Sequence, residues 1–239
     1  MIRNLKALGL MVVAALAISA MFVSAAQATE GNGFYTCGKT ATPNVHTTCN
    51  VHGEQYGTVA ENFFEAGGQK VTCENAGVTF TAHMPTGTST HLTVTPHYKD
   101  CSAEGLPATV SMNGCTYTFR RPTTSGKTHP WDATVDLVCP AGKSVDIEVF
   151  LFGTPTGSHT VNACTVKVLP KNGLTNSEAS VNTTGAKDDL TLTANITNVK
   201  YERTGSCGAS SGENAKYVSK VTVTAKGAAG EAEDLWLSD

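Results

Sequence analysis

From about residue 71 onward, apolar and polar side chains alternate with a period of two, the spacing of a strand with one buried face. Leu92, Val94 and Tyr98 point one way; His91, Thr93, Thr95 and His97 point the other. The same alternation carries Ala108, Val110 and Met112, then Cys115, Tyr117 and Phe119, then Ala133, Val135, Leu137 and Cys139. It returns in Val145, Ile147 and Val149, in Cys164, Val166 and Val168, in Leu190, Leu192, Ala194 and Ile196, and in Val221 and Val223. Turn-forming residues cut these runs at short intervals: Pro85 to Gly87, Gly105 to Pro107, Asn113-Gly114, Pro140 to Gly142, Gly153 to Gly157 and Asn172-Gly173. The pattern predicts an all-β chain: an antiparallel β-sandwich or a barrel-like pair of sheets. Val59 to Ala66, stopped by Gly67-Gly68, fits a short helix or a strand. Leu235, Trp236 and Leu237 are expected to dock as a last strand or cap.

The first 28 residues read differently. Arg3 and Lys6 precede an uncharged Ala/Leu/Val/Met run from Ala7 to Ala26, which ends in the small-residue triplet Ala26-Gln27-Ala28. That is the layout of a secretory signal peptide cut before Thr29, and it predicts a secreted, extracellular protein with no stable membrane anchor. Residues 29–56 form a disulfide-clipped N-terminal segment, and 57–239 form the all-β domain. Cleavage takes two positive charges from a net charge of -3 and leaves -5. A mildly acidic chain with 15% charged residues is not a nucleic-acid binder and has no electrostatic pull toward anionic lipid.

All eight cysteines follow the cleavage point: Cys37, Cys49, Cys73, Cys101, Cys115, Cys139, Cys164 and Cys207. An even count in an oxidising compartment predicts four disulfides, whereas the missing C-x-x-C and Cys/His clusters speak against a thiolate metal site. Cys37 and Cys49 are close neighbours in a Gly/Thr/Asn segment with little else to hold it, which pairs them. Two stretches are distantly alike. Cys73 precedes Leu92-Thr-Val-Thr and Tyr98 before Cys101, and Cys164 precedes Leu190-Thr-Leu-Thr and Tyr201 before Cys207. Read as a faint duplication, they pair Cys73 with Cys101 and Cys164 with Cys207. Cys115 and Cys139 remain, both on apolar strand faces within cross-strand reach of a disulfide.

The segments Leu92 to Cys101, Gly105 to Phe119 and Val135 to Lys143 carry a cysteine-and-strand spacing that resembles a group of uncharacterised, secreted actinobacterial proteins. The resemblance covers roughly residues 54 to 224. It implies secretion, β architecture and disulfide bridges, and it implies no activity and no catalytic residues. The early pair Cys37 and Cys49 is an addition to the group's usual pattern.

Candidate chemistry is sparse. Gly208-Ala-Ser210-Ser-Gly212 matches G-x-S-x-G, but a polar loop surrounds it and no helix follows, so the nucleophile-elbow context is missing. His83, His91 and His97 offer three imidazoles, yet six residues of extended chain separate His91 from His97 by about 20 Å, too far to share an ion. They are expected to face solvent. Asp136, Asp146 and Glu148 lie on polar strand faces, where a glycosidase pair could form or where a solvated sheet simply carries charge. Around Phe150, Leu151 and Phe152 the alternation breaks just before a Gly/Pro loop. That stretch is either a strand end covered on both faces or an exposed patch that docks a partner. No catalytic, metal or cofactor site follows from these residues. The expectation is a non-enzymatic extracellular binding or structural protein whose partner is a cell-surface polymer or protein. The alternative is a secreted hydrolase whose site is assembled only in three dimensions.

Overall fold

The structure is a computed structural model that describes residues 34–38, 49–58, 61–74, 78–84, 88–89, 91–120, 131–153, 161–184, 187–206, 211–227, 230 and 232–237. These residues form strands and turns. In chain order the strands are β1 (Phe34–Gly38), β2 (Cys49–Gln55), β3 (Phe63–Ala66), β4 (Gln69–Cys73), β5 (Val78–Met84), β6 (Thr88–Ser89), β7 (His91–Tyr98), β8 (Cys101–Ala103) and β9 (Leu106–Ser111). They continue as β10 (Thr116–Arg120), β11 (Trp131–Val138), β12 (Val145–Phe150), β13 (Asn162–Val168), β14 (Lys171–Thr184), β15 (Lys187–Gly205), β16 (Gly212–Lys226) and β17 (Ala232–Leu237). The segment of ambiguous pattern, 59–66, supplies strand β3.

Every strand pair is antiparallel, and the pairing closes on itself. One cycle runs β2, β5, β7, β10, β11, β14, β15, β16 and back to β2, an eight-stranded barrel. A second cycle of eight runs β3, β4, β8, β9, β12, β13, β15, β16 and back to β3. Of the two architectures the alternation allows, the barrel-like one is therefore formed. The 19-residue β15 and 15-residue β16 serve both rings. β15 pairs with β14 through Leu190, Leu192 and Ala194 and with β13 through Tyr201 to Gly205. β2, from the N-terminal segment 29–56, is a stave of the first ring.

A strand that passes from one ring to the next must bend, and side chains able to adopt positive φ sit at the bends. Asp100, between β7 and β8, has φ 51°, and Asn198, where the β15–β16 register shifts between Ile196 and Val199, has φ 59°. Short carbonyl-bearing side chains tolerate this left-handed conformation better than other non-glycine residues. The segments Leu92 to Cys101 and Leu190 to Gly205 thus follow similar paths: each starts in the first ring, turns at Asp100 or Asn198, and enters the second.

β16 also forks. It leaves β2 after Val221↔Gln55 and takes up β3 at Val218↔Phe63. The intervening Lys220 would lose a strand partner, and Asn62 replaces it. The Lys220 backbone N–H donates to Asn62 Oδ1 at 2.7 Å, and Asn62 Nδ2 donates to the carbonyls of Tyr56 at 3.0 Å and Thr58 at 3.2 Å. Burying this carboxamide at 4% exposure is tolerable because both of its ends are bonded.

Eight strands enclose an interior just wide enough for side chains to fill. In the first ring Val51, Phe80, Leu92, Leu190, Leu192 and Val223 pack together, with Leu235 of β17 buried among them. The expected docking of the C-terminal apolar residues therefore occurs, through β17 paired with β1 and with the end of β16. The second ring packs Val71, Ala108, Ile147, Val149, Val166 and Val168.

Two disulfides join strands within these cores. Cys73 and Cys101 face each other in the β4–β8 ladder with Cα atoms 3.9 Å apart, and Cys115 pairs with Cys139, Cα atoms 4.0 Å apart, just beyond the β10–β11 ladder. Both pairings are those the sequence predicts. Cys164 is also disulfide-bonded. Cys207, the side chains of Cys37 and Cys49, and the leader-like residues 1–28 lie outside the described residues. Among the described residues, no helix is long and apolar enough to cross a membrane.

Gly53 on β2 lies against Phe80 on β5: a Cβ there would run into the phenylalanine ring, which occupies the space a side chain would need. Gly53→Ala is expected to destabilise the fold by about 1–3 kcal/mol, the usual cost of overpacking a filled core. Combining it with Phe80→Leu should recover part of that loss; urea unfolding of the oxidised protein measures both.

Candidate functional site

A barrel can bind inside or outside, and the size of the interior decides between them. Three tyrosines from different strands, Tyr98, Tyr117 and Tyr217, meet between the two cores. The rings of Tyr117 and Tyr217 stack with centroids 5.8 Å apart and planes 8° apart, and Tyr98 packs against the same core. Burial, reinforced by the neighbouring phenols, pushes the Tyr98 hydroxyl well above its usual range, and burial raises Tyr117 and Tyr217 as well. All three stay neutral, so they serve as packing groups and not as bases. The Ser219 Oγ and both amide atoms of Gln55 are buried without a hydrogen-bond partner among the described residues.

Beside the tyrosines are cavities of ≈ 40 Å³, walled by Val71, Val110 and Ile147, and ≈ 20 Å³, walled by Phe80, Val94 and Leu192. A pocket that takes even a benzene-sized ligand needs about 150 Å³. Neither cavity, among the described residues, reaches that size.

On the outer surface the carboxylates named by the sequence are dispersed. Asp136, on β11 of the first ring, accepts from Arg120 Nε at 2.7 Å and from the Gly173 backbone N–H at 2.6 Å. Asp146 and Glu148 lie two residues apart on one face of β12; Asp146 accepts from Ser144 Oγ at 2.6 Å and Glu148 from Asn162 Nδ2 at 3.5 Å. Two acids on one strand face cannot oppose each other across a sugar. His91 and His97 are exposed at opposite ends of β7. The side chain of His83 and residues 207–210, with Ser210, lie outside the described residues, while Ser211 Oγ accepts from the Arg203 backbone N–H at 3.1 Å.

The segment Phe150 to Phe152 has a definite place. β12 and β13 form a hairpin whose register shifts between Val149 and Phe150. Beyond it the Leu151 backbone N–H donates to the Val161 carbonyl at 2.9 Å, which brings these two residues side by side at the hairpin end. Phe150 is half-buried. Leu151 is 49% exposed, Phe152 64% and Val161 43%, three of the five large apolar side chains most open to solvent among the described residues. The apolar run therefore does not plug the ring; it projects. Sequence reasoning missed Val161, because only the hairpin pairing brings it to Leu151, and the tyrosine cluster, whose members read as ordinary alternating core positions.

No family model matches this chain, and no curated protein or solved structure matches it.

Asp136 links the surface to stability. Its burial opposes ionisation, but the Gly173 amide and the Arg120 guanidinium outweigh it and hold the carboxyl below the usual range. A depressed folded pKa gives stabilisation that is present above the unfolded value, about 3.9, and lost as pH falls through the folded one. Asp136→Asn is expected to unfold at lower urea than wild type at pH 7, with the gap closing below about pH 4. Urea midpoints measured from pH 7 down to pH 3 check this.

Proposed function

We propose that this protein is an exported, non-enzymatic binding module that docks a partner protein through the end of the β12–β13 hairpin. The observation that carries this reading is the exposure of Leu151, Phe152 and Val161 at one hairpin end, where the Leu151 and Val161 backbones are hydrogen-bonded, on a closed, disulfide-stapled frame. Clustered apolar side chains in water cost free energy unless something covers them, and aromatic anchors on rigid elements are the usual core of such contacts. A partner protein fits the chemistry better than a sugar polymer. Two aliphatic side chains and one phenyl ring fill an apolar pocket well, but they offer none of the hydrogen bonds a sugar needs. The export reading rests on the basic start, apolar run and Ala26-Gln27-Ala28 triplet of the first 28 residues. The two disulfides are compatible with it, since such bonds persist in oxidising compartments. The likeness to uncharacterised secreted actinobacterial proteins points the same way.

The test is capture from cell-surface and culture-supernatant fractions by the oxidised protein and by a Leu151→Ser/Phe152→Ser variant. Wild type should form a stoichiometric complex with a defined protein, and the variant should lose at least about thirtyfold in affinity, the weight of one anchor residue. Its unfolding free energy, from urea titration, should stay within about 0.5 kcal/mol of wild type, as for exposed positions. Equal binding by the variant, or no complex from correctly oxidised wild type, overturns the reading.

A further inference from the structure

Where a sheet divides, the residues at the branch point lose neighbours that a continuous ladder supplies. Along β16 that stretch lies between Val221, the last residue paired with β2, and Val218, the first paired with β3. The Asn62 carboxamide restores the backbone bond of Lys220, but no protein group among the described residues does the same for two side chains on the inner face. Ser219 is 4% exposed, and Gln55, opposite Val221, is 8% exposed. The hydroxyl of the first and the whole carboxamide of the second are buried without a hydrogen-bond partner among the described residues. An unpaired polar group in a core forfeits its bonds with water, and in folded proteins such groups almost always keep a partner.

Room for that partner lies at the same place. Ser219 lines both interior cavities: the larger, ≈ 40 Å³, together with Tyr98, Tyr117 and Tyr217, and the smaller, ≈ 20 Å³, together with Tyr117, Tyr217 and Val221. A water molecule needs about 10–15 Å³, so both cavities admit water and neither admits an organic ligand. No charged residue among those described lines either cavity, and the phenols stay neutral, so an ion there would be uncompensated. Serine and tyrosine hydroxyls both donate and accept, which suits the mixed demands of water. Ser219 influences the ionisation of the Tyr217 phenol, so these two hydroxyls are neighbours, yet Ser219 Oγ makes no direct bond among the described residues. A gap between neighbouring hydroxyls is what a bridging water spans.

We infer that the branch point of β16 is an internal hydration site, with a long-lived water in the larger cavity hydrogen-bonded to Ser219 Oγ and to the tyrosine cluster. The water does for a side chain what Asn62 does for the backbone: it returns a partner to a polar group that the divided sheet strands. This site is separate from the hairpin end and stands or falls independently of it.

The experiment compares the ¹⁷O water relaxation dispersion of the oxidised protein with that of Ser219→Ala, and determines a high-resolution crystal structure of each. Dispersion reports waters held inside a protein far longer than those on its surface, and the oxygen nucleus is blind to exchange of hydroxyl protons. Wild type should exceed Ser219→Ala by at least the amplitude of a single bound water. Ser111→Ala, at an exposed serine, should match wild type. The wild-type crystal should carry a density peak within hydrogen-bonding reach of Ser219 Oγ and of a tyrosine hydroxyl, and Ser219→Ala should lack it. An intact mass identical before and after alkylation under non-reducing conditions establishes that each variant is fully oxidised. Should Ser219→Ala fail to fold, the wild-type crystal decides alone. Equal amplitude in wild type and Ser219→Ala, a wild-type cavity empty of density, a peak that persists in the variant, or a direct hydrogen bond from Ser219 Oγ to a protein atom overturns the proposal.

Discussion

β15 and β16 are hydrogen-bonded to neighbours on both sides along most of their length, and the neighbours change partway: β14 gives way to β13 along β15, and β2 gives way to β3 along β16. A strand edge left open in water invites pairing with another chain, and closing a sheet on itself is the one arrangement that removes edges. A single eight-stranded ring cannot absorb strands of 19 and 15 residues, which are far longer than the usual five or six. The surplus is paired by a second ring. The devices at the crossings follow from that need: Asp100 and Asn198 bend the chain, and the Asn62 carboxamide supplies the backbone partner that Lys220 loses where the sheet divides.

The same closure separates the frame from recognition. Interiors of eight-stranded rings fill with side chains, and among the described residues the cavities beside the tyrosines are only about 40 and 20 Å³. Apolar side chains open to solvent stand instead on the outside, at the end of the β12–β13 hairpin.

Much of the frame was legible along the chain. Period-two alternation located β7, β9 to β13 and the apolar half of β15, and spacing paired Cys73 with Cys101 and Cys115 with Cys139. β14 was not visible, because Asn172 to Thr184 offers only Leu174, Ala179 and Val181 among polar residues and gains its strand character from partners on both sides. The fork at Asn62 was invisible for a different reason: a lone asparagine reads as a turn residue, and its structural role exists only because residues 62 and 220 meet across the fold. The hairpin end divides likewise. Phe150 to Phe152 stood out as a break in periodicity, whereas Val161 meets Leu151 only through the hairpin pairing.

The ladder that shuts the first ring joins β2 to β16, with the Thr224 hydroxyl reaching the His52 carbonyl across 172 positions of sequence. Bringing such distant segments together is entropically costly, and proteins dominated by pairings of this kind fold slowly. β2 can pair with β5 as soon as both are made, but its other edge stays open until β16 arrives, which makes closure of the first ring a late step of folding.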